Sequence, residues 1–168
     1  MGSVQVYFAK MREGAKIPTK REEDAGYDVY ACFDEDYLRA APHQTLIVPT
    51  GIASACPTDY FFRIAERGST GTRGIGQRCG VIDSGYRGEW FISVTNHNSV
   101  PLYFIKPEKR SELEQSFESD AIIYPTDKAI CQALLLPVPK TEVTELSYEE
   151  LSNIKSARSG GKLGSSGK

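Results

Sequence analysis

The sequence predicts an all-β domain, a sandwich or roll built from short strands. Three observations carry that prediction. Short alternating or β-branched apolar runs recur along most of the chain. Turn-forming residues, 15 glycines and 9 prolines, punctuate them. Helical periodicity is scarce. In chain order, Val4–Phe8 alternates and predicts a first strand, followed by a charged loop from Met11 to Asp24 that holds Pro18. Tyr27–Phe33 predicts a second strand, opened by Gly26. Thr45–Cys56 is β-branched and apolar, but Pro49 and Gly51 interrupt it and predict a bulge or turn there. Tyr60–Ala65, Trp90–Asn96, Leu102–Ile105 and Ile130–Val138 complete the strands. Lys109–Glu118 is charged enough for a short surface helix. Ser147 with Glu150 forms a capping-box pattern that predicts a short helix near Leu151. Trp90 and Phe91 are expected in the core, as large aromatics usually are.

The composition narrows the function classes. A chain of 168 residues, 40% hydrophobic and 10% aromatic, suits one domain with a real core rather than a disordered segment. Residues 1–155 are expected to form that domain. Within it, 106–127 has the Lys/Glu/Ser character of a solvated surface insertion, and 156–168 has the Gly/Ser character of a mobile tail. The formal net charge is −2 and the pI about 5.8, which gives no broad basic face for duplex nucleic acid. No stretch has the roughly 20 apolar residues of a membrane span. Cys32, Cys56, Cys79 and Cys131 are scattered, without a C-x-x-C pair, and only two histidines accompany them. Zinc spacing is therefore absent, and free thiols in a reducing cytoplasm are expected. The opening MGSVQVYFAKMREG lacks the apolar run of a secretory signal, in line with a cytoplasmic setting.

Three segments differ from ordinary strand-and-turn sequence. Glu66 to Gly74 (ERGSTGTRG) combines glycines, hydroxyls and two arginines, the groups that an anion needs. Gly80 to Gly88 (GVIDSGYRG) runs apolar residues into a hairpin turn, with Asp83 at the turn entrance. Asp83 fits a turn-capping role, or a carboxylate held on a rigid hairpin to orient a water. Arg158 to Gly167 (RSGGKLGSSG) fits a linker, or an arm that orders over a phosphate ligand.

These segments, with Ala25–Ala31 (AGYDVYA) and Ile130-Cys131-Gln132, resemble in order and placement the five motifs of the trimeric dUTPase family. GVIDSGYRGE is the most specific of them, and the resemblance spans nearly the whole chain from Gln5. It implies a jelly-roll-like β-clip subunit of the dUTPase type, with one or two short helices and a mobile C-terminal arm over the active site. It implies a homotrimer whose active sites combine motifs of more than one chain. It implies hydrolysis of dUTP to dUMP and pyrophosphate, keeping dUTP low and supplying dUMP for thymidylate synthesis, with Mg²⁺ riding on the triphosphate.

The same resemblance assigns roles by position. Asp83 would orient and deprotonate the attacking water; as a weak base it contributes mainly geometry. Tyr86 would pack on the deoxyribose and exclude a 2′-hydroxyl. The backbone of Gly80, Val81 and Ile82 would pair with the uracil edge, and a cytosine would leave buried groups unpaired. Asp28 would support the Mg²⁺–water shell or the site architecture. Gln132 would bond a phosphate or a Mg²⁺-bound water. Arg67, Gly68 and Ser69 would meet phosphates, while Arg158, Ser165 and Ser166 would grip the γ-phosphate. Arg73 and Lys162 would add to the local positive field.

The sequence departs from the family pattern at several positions. Gly68 stands where a serine is usual, leaving Ser69 to supply the hydroxyl. Gln77 stands six before Asp83, in place of an asparagine expected near the sugar. Ala129 replaces an arginine three before Gln132, Leu163 replaces the phenylalanine that stacks on uracil, and Lys162 replaces a glycine. Two alternatives follow. A dCTP deaminase shares the hairpin but needs a glutamate ten residues after Asp83, where this chain has Ser93. A non-hydrolytic dUTP-binding regulatory protein would account for the departures, though not for the retained Arg67, Asp83, Tyr86, Gln132 and Arg158.

Overall fold

The computed structural model describes residues 2–78 and 80–156. These divide after Val138 into two compact units. The first unit holds the β-rich fold. Its strands are β1 (Tyr7–Lys10), β2 (Gly26–Val29), β3 (Tyr37–Ala40), β4 (Thr45–Pro49), β5 (Ile52–Ala55), β6 (Tyr60–Ala65), β7 (Ile75–Gln77), β8 (Val81–Ile82), β9 (Phe91–Asn96), β10 (Leu102–Ile105), β11 (Ile122–Pro125) and β12 (Cys131–Pro137). Two one-turn helices, α1 (Gly68–Gly71) and α2 (Arg110–Leu113), interrupt them. The sheets run β1-β5, β11-β10-β3, β2-β12-β6-β8 and β4-β9-β7. Every pairing is antiparallel except β10 with β11. The all-β, jelly-roll-like architecture matches the class predicted from the strand pattern.

The core follows from alternation along the strands. In β9, Ile92 and Val94 turn inward, while Phe91 faces out and Ser93 is only partly covered. In β4, Val48 is buried and Ile47 exposed. An aromatic group joins the sheets: Phe8 lies 5.4 Å from Phe62 and 5.8 Å from Trp90, and Phe62 lies 5.2 Å from Trp90. Tilted and edge-on pairs of this kind add about 0.5–1.5 kcal/mol each beyond the area they bury.

Several elements differ from the expectation. The first strand is shifted to Tyr7–Lys10, because it pairs residue by residue with Ile52–Ala55. The turn expected in 45–56 falls at Thr50-Gly51. Gly51 has φ +68°, and a side chain there would also press on Ala15. Phe91 is 43% exposed rather than in the core, whereas Trp90 is fully buried. Residues 106–127 are only partly surface. Parallel strands cannot be joined by a tight turn, so the β10–β11 pair requires a crossover of about a dozen residues or more. Residues 106–121 supply it, through α2 and two flanking 3₁₀ turns. The segment then ends as β11, whose Tyr124 is buried. Phe117 stacks on Tyr103 at 3.8 Å and anchors the crossover. Nearby, the Tyr103 hydroxyl donates to Glu118 at 2.7 Å, with the Arg39 guanidinium alongside, and together they pull the Glu118 carboxyl down to about 2.

In the second unit, α3 (Tyr148–Asn153) starts at Ser147. The Glu150 N–H donates to Ser147 Oγ at 3.2 Å, and the Ser147 N–H donates back to Glu150 Oε2 at 2.9 Å. This is the capping box read from the sequence.

Candidate active site

Two cavities collect most of the residues singled out by sequence. The first, about 740 Å³, is lined by Asp28 of β2, Arg67, Gly68 and Ser69 at the start of α1, Gln132 of β12, and the loop Thr19–Gly26 without Glu22. Strand register explains the convergence, because Gln132 lies opposite Asp28 on one side and Ala65 on the other. The chain leaves β6 at Ala65 and enters α1 beside both. Gly26 is required here: a side chain at this position would collide with Gln132, its Cβ falling 2.7 Å from Oε1 and 3.0 Å from the Gln132 Cβ.

Arg67 is the hub of this cavity. Its Nε lies 3.1 Å from Asp28 Oδ1. Its Nη1 donates to the Ala129 carbonyl at 3.1 Å and to Ser69 Oγ at 3.3 Å. A planar guanidinium spreads its donors over separate nitrogens, here Nε and Nη1, whereas an ammonium gathers its three donors at one point. The same Ala129 carbonyl accepts the buried Tyr124 hydroxyl at 2.7 Å, and burial pushes that phenol above its ordinary range. Position 129, where the family pattern has an arginine, thus contributes through its backbone. Gln132 Nε2 donates to the Glu66 carbonyl at 2.8 Å, which leaves its amide oxygen to act as a hydrogen-bond acceptor.

The second cavity, about 220 Å³, is lined by Val81, Ile82, Asp83, Tyr86, Glu89 and Phe91. Asp83 is exposed, and among the described residues no hydrogen bond or ion pair is made by its carboxylate. Its carbonyl instead closes the turn, accepting the Tyr86 N–H at 3.1 Å. Tyr86 lies across Gly88, where a Cβ would fall 2.5 Å from the hydroxyl oxygen, and donates that hydroxyl to the Glu89 carbonyl at 3.0 Å. Among the described residues, β8 is the outermost strand of its sheet. Gly80 O accepts from Ile64 N at 3.0 Å, and the alternation of an antiparallel ladder then turns the N–H and C=O of Val81 away from β6, toward the free edge.

Among the described residues the two cavities share no lining residue. Asp28 and Asp83 belong to opposite edges of the β2-β12-β6-β8 sheet, three strand spacings across and four residues along. At about 4.8 Å per strand and 3.3 Å per residue this is on the order of 15–20 Å. Gln77 lines neither cavity; its backbone N–H donates to Glu66 Oε1 at 3.1 Å. Arg73 also lines neither. Arg158, Lys162, Leu163, Ser165 and Ser166 lie outside the described residues.

The model of the family described as dUTPase matches residues 12–110, which hold the segments around Asp28, Arg67 and Asp83. The deoxyuridine 5′-triphosphate nucleotidohydrolase of Gloeobacter violaceus is 31% identical over 171 aligned positions, covering 99% of each chain. The chain belongs to the dUTPase family. The enzyme of the same name from Leptospira interrogans is 35% identical over 97 residues, a match spanning 55% of this chain and 66%, just under two thirds, of that protein. Among solved structures, a Staphylococcus bacteriophage 80alpha dUTPase with dUpNHpp superposes with a TM-score of 0.74 at 16% identity, over 96% of this chain and 98% of that one. At that identity the likeness concerns the fold.

Beyond the residues singled out in advance, this dUTPase-family chain brings the loop 19–24 to the first cavity. An isolated bridge between Thr19 and Asp28 closes the loop against β2. The Lys20 ammonium donates to the Asp24 carbonyl at 2.8 Å, and Arg21 grips the Asp24 carboxylate at 2.9 Å through two nitrogens, holding that carboxyl below its usual range. The sequence signal was adjacency, since this charged loop runs directly into AGYDVYA. Tyr124 had no such signal. Among the described residues no group of three or more His, Cys, Asp or Glu is arranged to hold a metal, and no helix is long and apolar enough to cross a membrane.

Proposed function

We propose that the chain hydrolyses dUTP to dUMP and pyrophosphate, with each active site assembled from the Arg67 cavity of one subunit and the Asp83 hairpin of another. The division of the motif residues between two separate cavities is the observation that carries this reading. One chain presents an anion-binding half and a water- and sugar-facing half, roughly 15–20 Å apart. A second observation supports the same reading. The outward face of β4 and β9 presents Thr45, Ile47, Pro49, Phe91 and Ser93, all uncharged, with Ile47 63% exposed. Arg78 rims this face, donating from Nε to Thr95 Oγ1 at 3.2 Å. Phe91 makes the face continuous with the Asp83 cavity. A neighbour covering it brings its own cavity residues to Asp83, and three such contacts close a homotrimer.

In the assembled site, Asp83 takes a proton from the attacking water as its oxygen bonds the α-phosphorus. The bond from that phosphorus to the bridging oxygen breaks, and pyrophosphate leaves. The role of Asp83 is to hold the water in line. Uracil pairs with the edge of β8, where the N–H and C=O of Val81 offer one donor and one acceptor, flanked by Gly80 and Ile82. Cytosine has the opposite pattern and leaves them unpaired, a mismatch that can cost about 10⁴-fold. Tyr86 covers the deoxyribose. Arg67 and Ser69 meet the phosphates, with Lys20 at the rim. Arg158, Ser165 and Ser166 take the γ-phosphate, and Leu163 stands for the usual aromatic cap.

Mg²⁺ suits this donor set, because a hard cation that keeps its waters and rides on phosphate needs only one or two protein oxygens. Asp28 and the Gln132 amide oxygen would hold it through water, and when bound it would offset phosphate charge. The free thiols of Cys32 and Cys56 fit a reducing, cytoplasmic setting.

The deciding experiment is pyrophosphate release from dUTP, dCTP, dTTP and UTP, each with Mg²⁺ and with EDTA. Rapid Mg²⁺-dependent release from dUTP alone is expected. A sample that binds dUTP and releases nothing would overturn hydrolysis in favour of the regulatory alternative.

A further inference from the structure

The Tyr86 ring is held from behind by a chain of contacts that reaches back to Arg12, far earlier in the sequence. Its hydroxyl donates to the Glu89 carbonyl at 3.0 Å. That carbonyl is fixed in turn, because the peptide segment 89–90 is fastened on both sides. Trp90 N–H donates to the Ile52 carbonyl at 2.8 Å, and Thr50 Oγ1 donates to the Trp90 carbonyl at 2.7 Å. The Glu89 side chain turns inward, only 10% exposed, and its Oε1 accepts from the Gly51 N–H at 2.9 Å and from Arg12 Nε at 2.8 Å. Arg12 reaches on to Asp34 Oδ2 at 3.2 Å. A carboxylate this covered would be costly if left unpaired, so its partners are not optional.

We infer that Arg12 and Glu89 are positioning residues for Tyr86, and that this pair sets how firmly the site rejects a 2′-hydroxyl. The inference rests on the proposed contact between Tyr86 and deoxyribose. Its physical basis is that discrimination by shape requires a wall that does not yield. The hydroxyl bond fixes the ring only if the Glu89 carbonyl is itself fixed. Gly88 gives the ring its resting place but cannot hold it there. The Arg12–Glu89 pair, anchored on the positive-φ turn at Gly51, supplies the rigidity. Arg12 lines neither cavity, and the Glu89 carboxylate is turned to Arg12 and Gly51, so neither charge is placed at the water-attack step. Loosening the pair therefore relaxes substrate choice rather than chemistry.

The test compares kcat and KM for dUTP and UTP in the wild-type protein and in R12M, R12K, Y86L and the double variant R12M/E89Q, with melting temperatures alongside. The double variant removes both charges and remains informative if R12M strands Glu89 and fails to fold. R12M is expected to raise KM for dUTP, leave its kcat within about threefold, and lower the dUTP-over-UTP preference about tenfold or more; the double variant, should R12M fail to fold, is read by the same loss of preference. R12K, which keeps a cation beside Glu89, is expected to recover part of that preference. Loss of preference in Y86L with wild-type preference in R12M and R12M/E89Q, whatever their melting temperatures, would overturn the positioning role while leaving the Tyr86 assignment standing. Wild-type preference in Y86L would instead overturn that assignment and the inference with it.

Discussion

The two cavities are built on opposite principles. Around Arg67 the side chains bond one another: Asp28, Ser69 and the Ala129 carbonyl all converge on one guanidinium, backed by Tyr124. Around Asp83 the working groups are the strand edge of β8, a turn and a ring, while the carboxylate stays exposed. The first half is organised within the chain before any ligand arrives. The second is rigid in its backbone but open on the side where a neighbour is proposed to fit. The difference teaches which half tolerates change. A side-chain hub degrades step by step as its bonds are removed, whereas a single exposed carboxylate has no substitute.

The largest effect is therefore expected at the open half. Asp83→Asn keeps the volume and the turn, whose hydrogen bond is made by the backbone carbonyl of residue 83. dUTP binding should change little while kcat falls by about 10³-fold or more, because the water loses its proton acceptor. Near-normal turnover in single-turnover assays would sink the water-orienting role.

Mixing sharpens the comparison further. If the two halves come from different chains, equal amounts of Asp83→Asn and Arg67→Ala subunits, each inactive alone, should regain activity after dissociation and reassembly. Random mixing returns about a quarter of the sites to full composition. No gain over either parent, with assembly verified by sedimentation, would mean that both halves serve the same site within one chain.

Within the organised half, Arg67→Lys is a graded break. Lysine keeps the charge but not the fork, so the bonds to Asp28, Ser69 and Ala129 cannot all be kept. KM for dUTP should rise about 10- to 100-fold, with kcat less affected. An unchanged KM would remove Arg67 from phosphate binding. A smaller change is expected one step behind it. Tyr124→Phe deletes one buried hydroxyl bonded to the Ala129 carbonyl and should cost about 1 kcal/mol of stability, read by urea unfolding. KM should rise a few-fold, because the carbonyl keeps Arg67 as its partner.

How far the sequence led differs between the halves as well. The hairpin was legible because its apolar run, turn and following tyrosine lie within ten residues, and local order is what turn chemistry encodes. Asp28, Arg67 and Gln132 were found through motif order, but the bonds joining them were not, since β12 sets them side by side across more than sixty residues of chain. Tyr124 was hidden for another reason. A four-residue strand after a charged crossover has too few residues to show its period, so β11 merged with its polar surroundings. Phe91 was misjudged because alternation fixes which residues share a face, not which face is covered. Strand length also blurred β7 and β8, three and two residues long.

The smallest effect is expected at Gly68, where the chain departs from the family pattern within the organised half. A Cβ built there meets nothing within 4 Å, so the glycine is not required by packing. It is also not among the glycines with positive φ, so an L residue fits the backbone. Gly68→Ser should leave stability within about 0.5 kcal/mol, with any gain coming from a less flexible unfolded chain. The added hydroxyl would sit on the cavity wall beside Ser69. Ser69 accepts from Arg67 and keeps its own O–H, so a second hydroxyl beside it adds one further donor for the phosphates. KM for dUTP should fall a few-fold, with kcat and the dUTP-over-UTP preference unchanged, since both are assigned to the other half. A change in that preference would show that the two halves are coupled rather than merely juxtaposed.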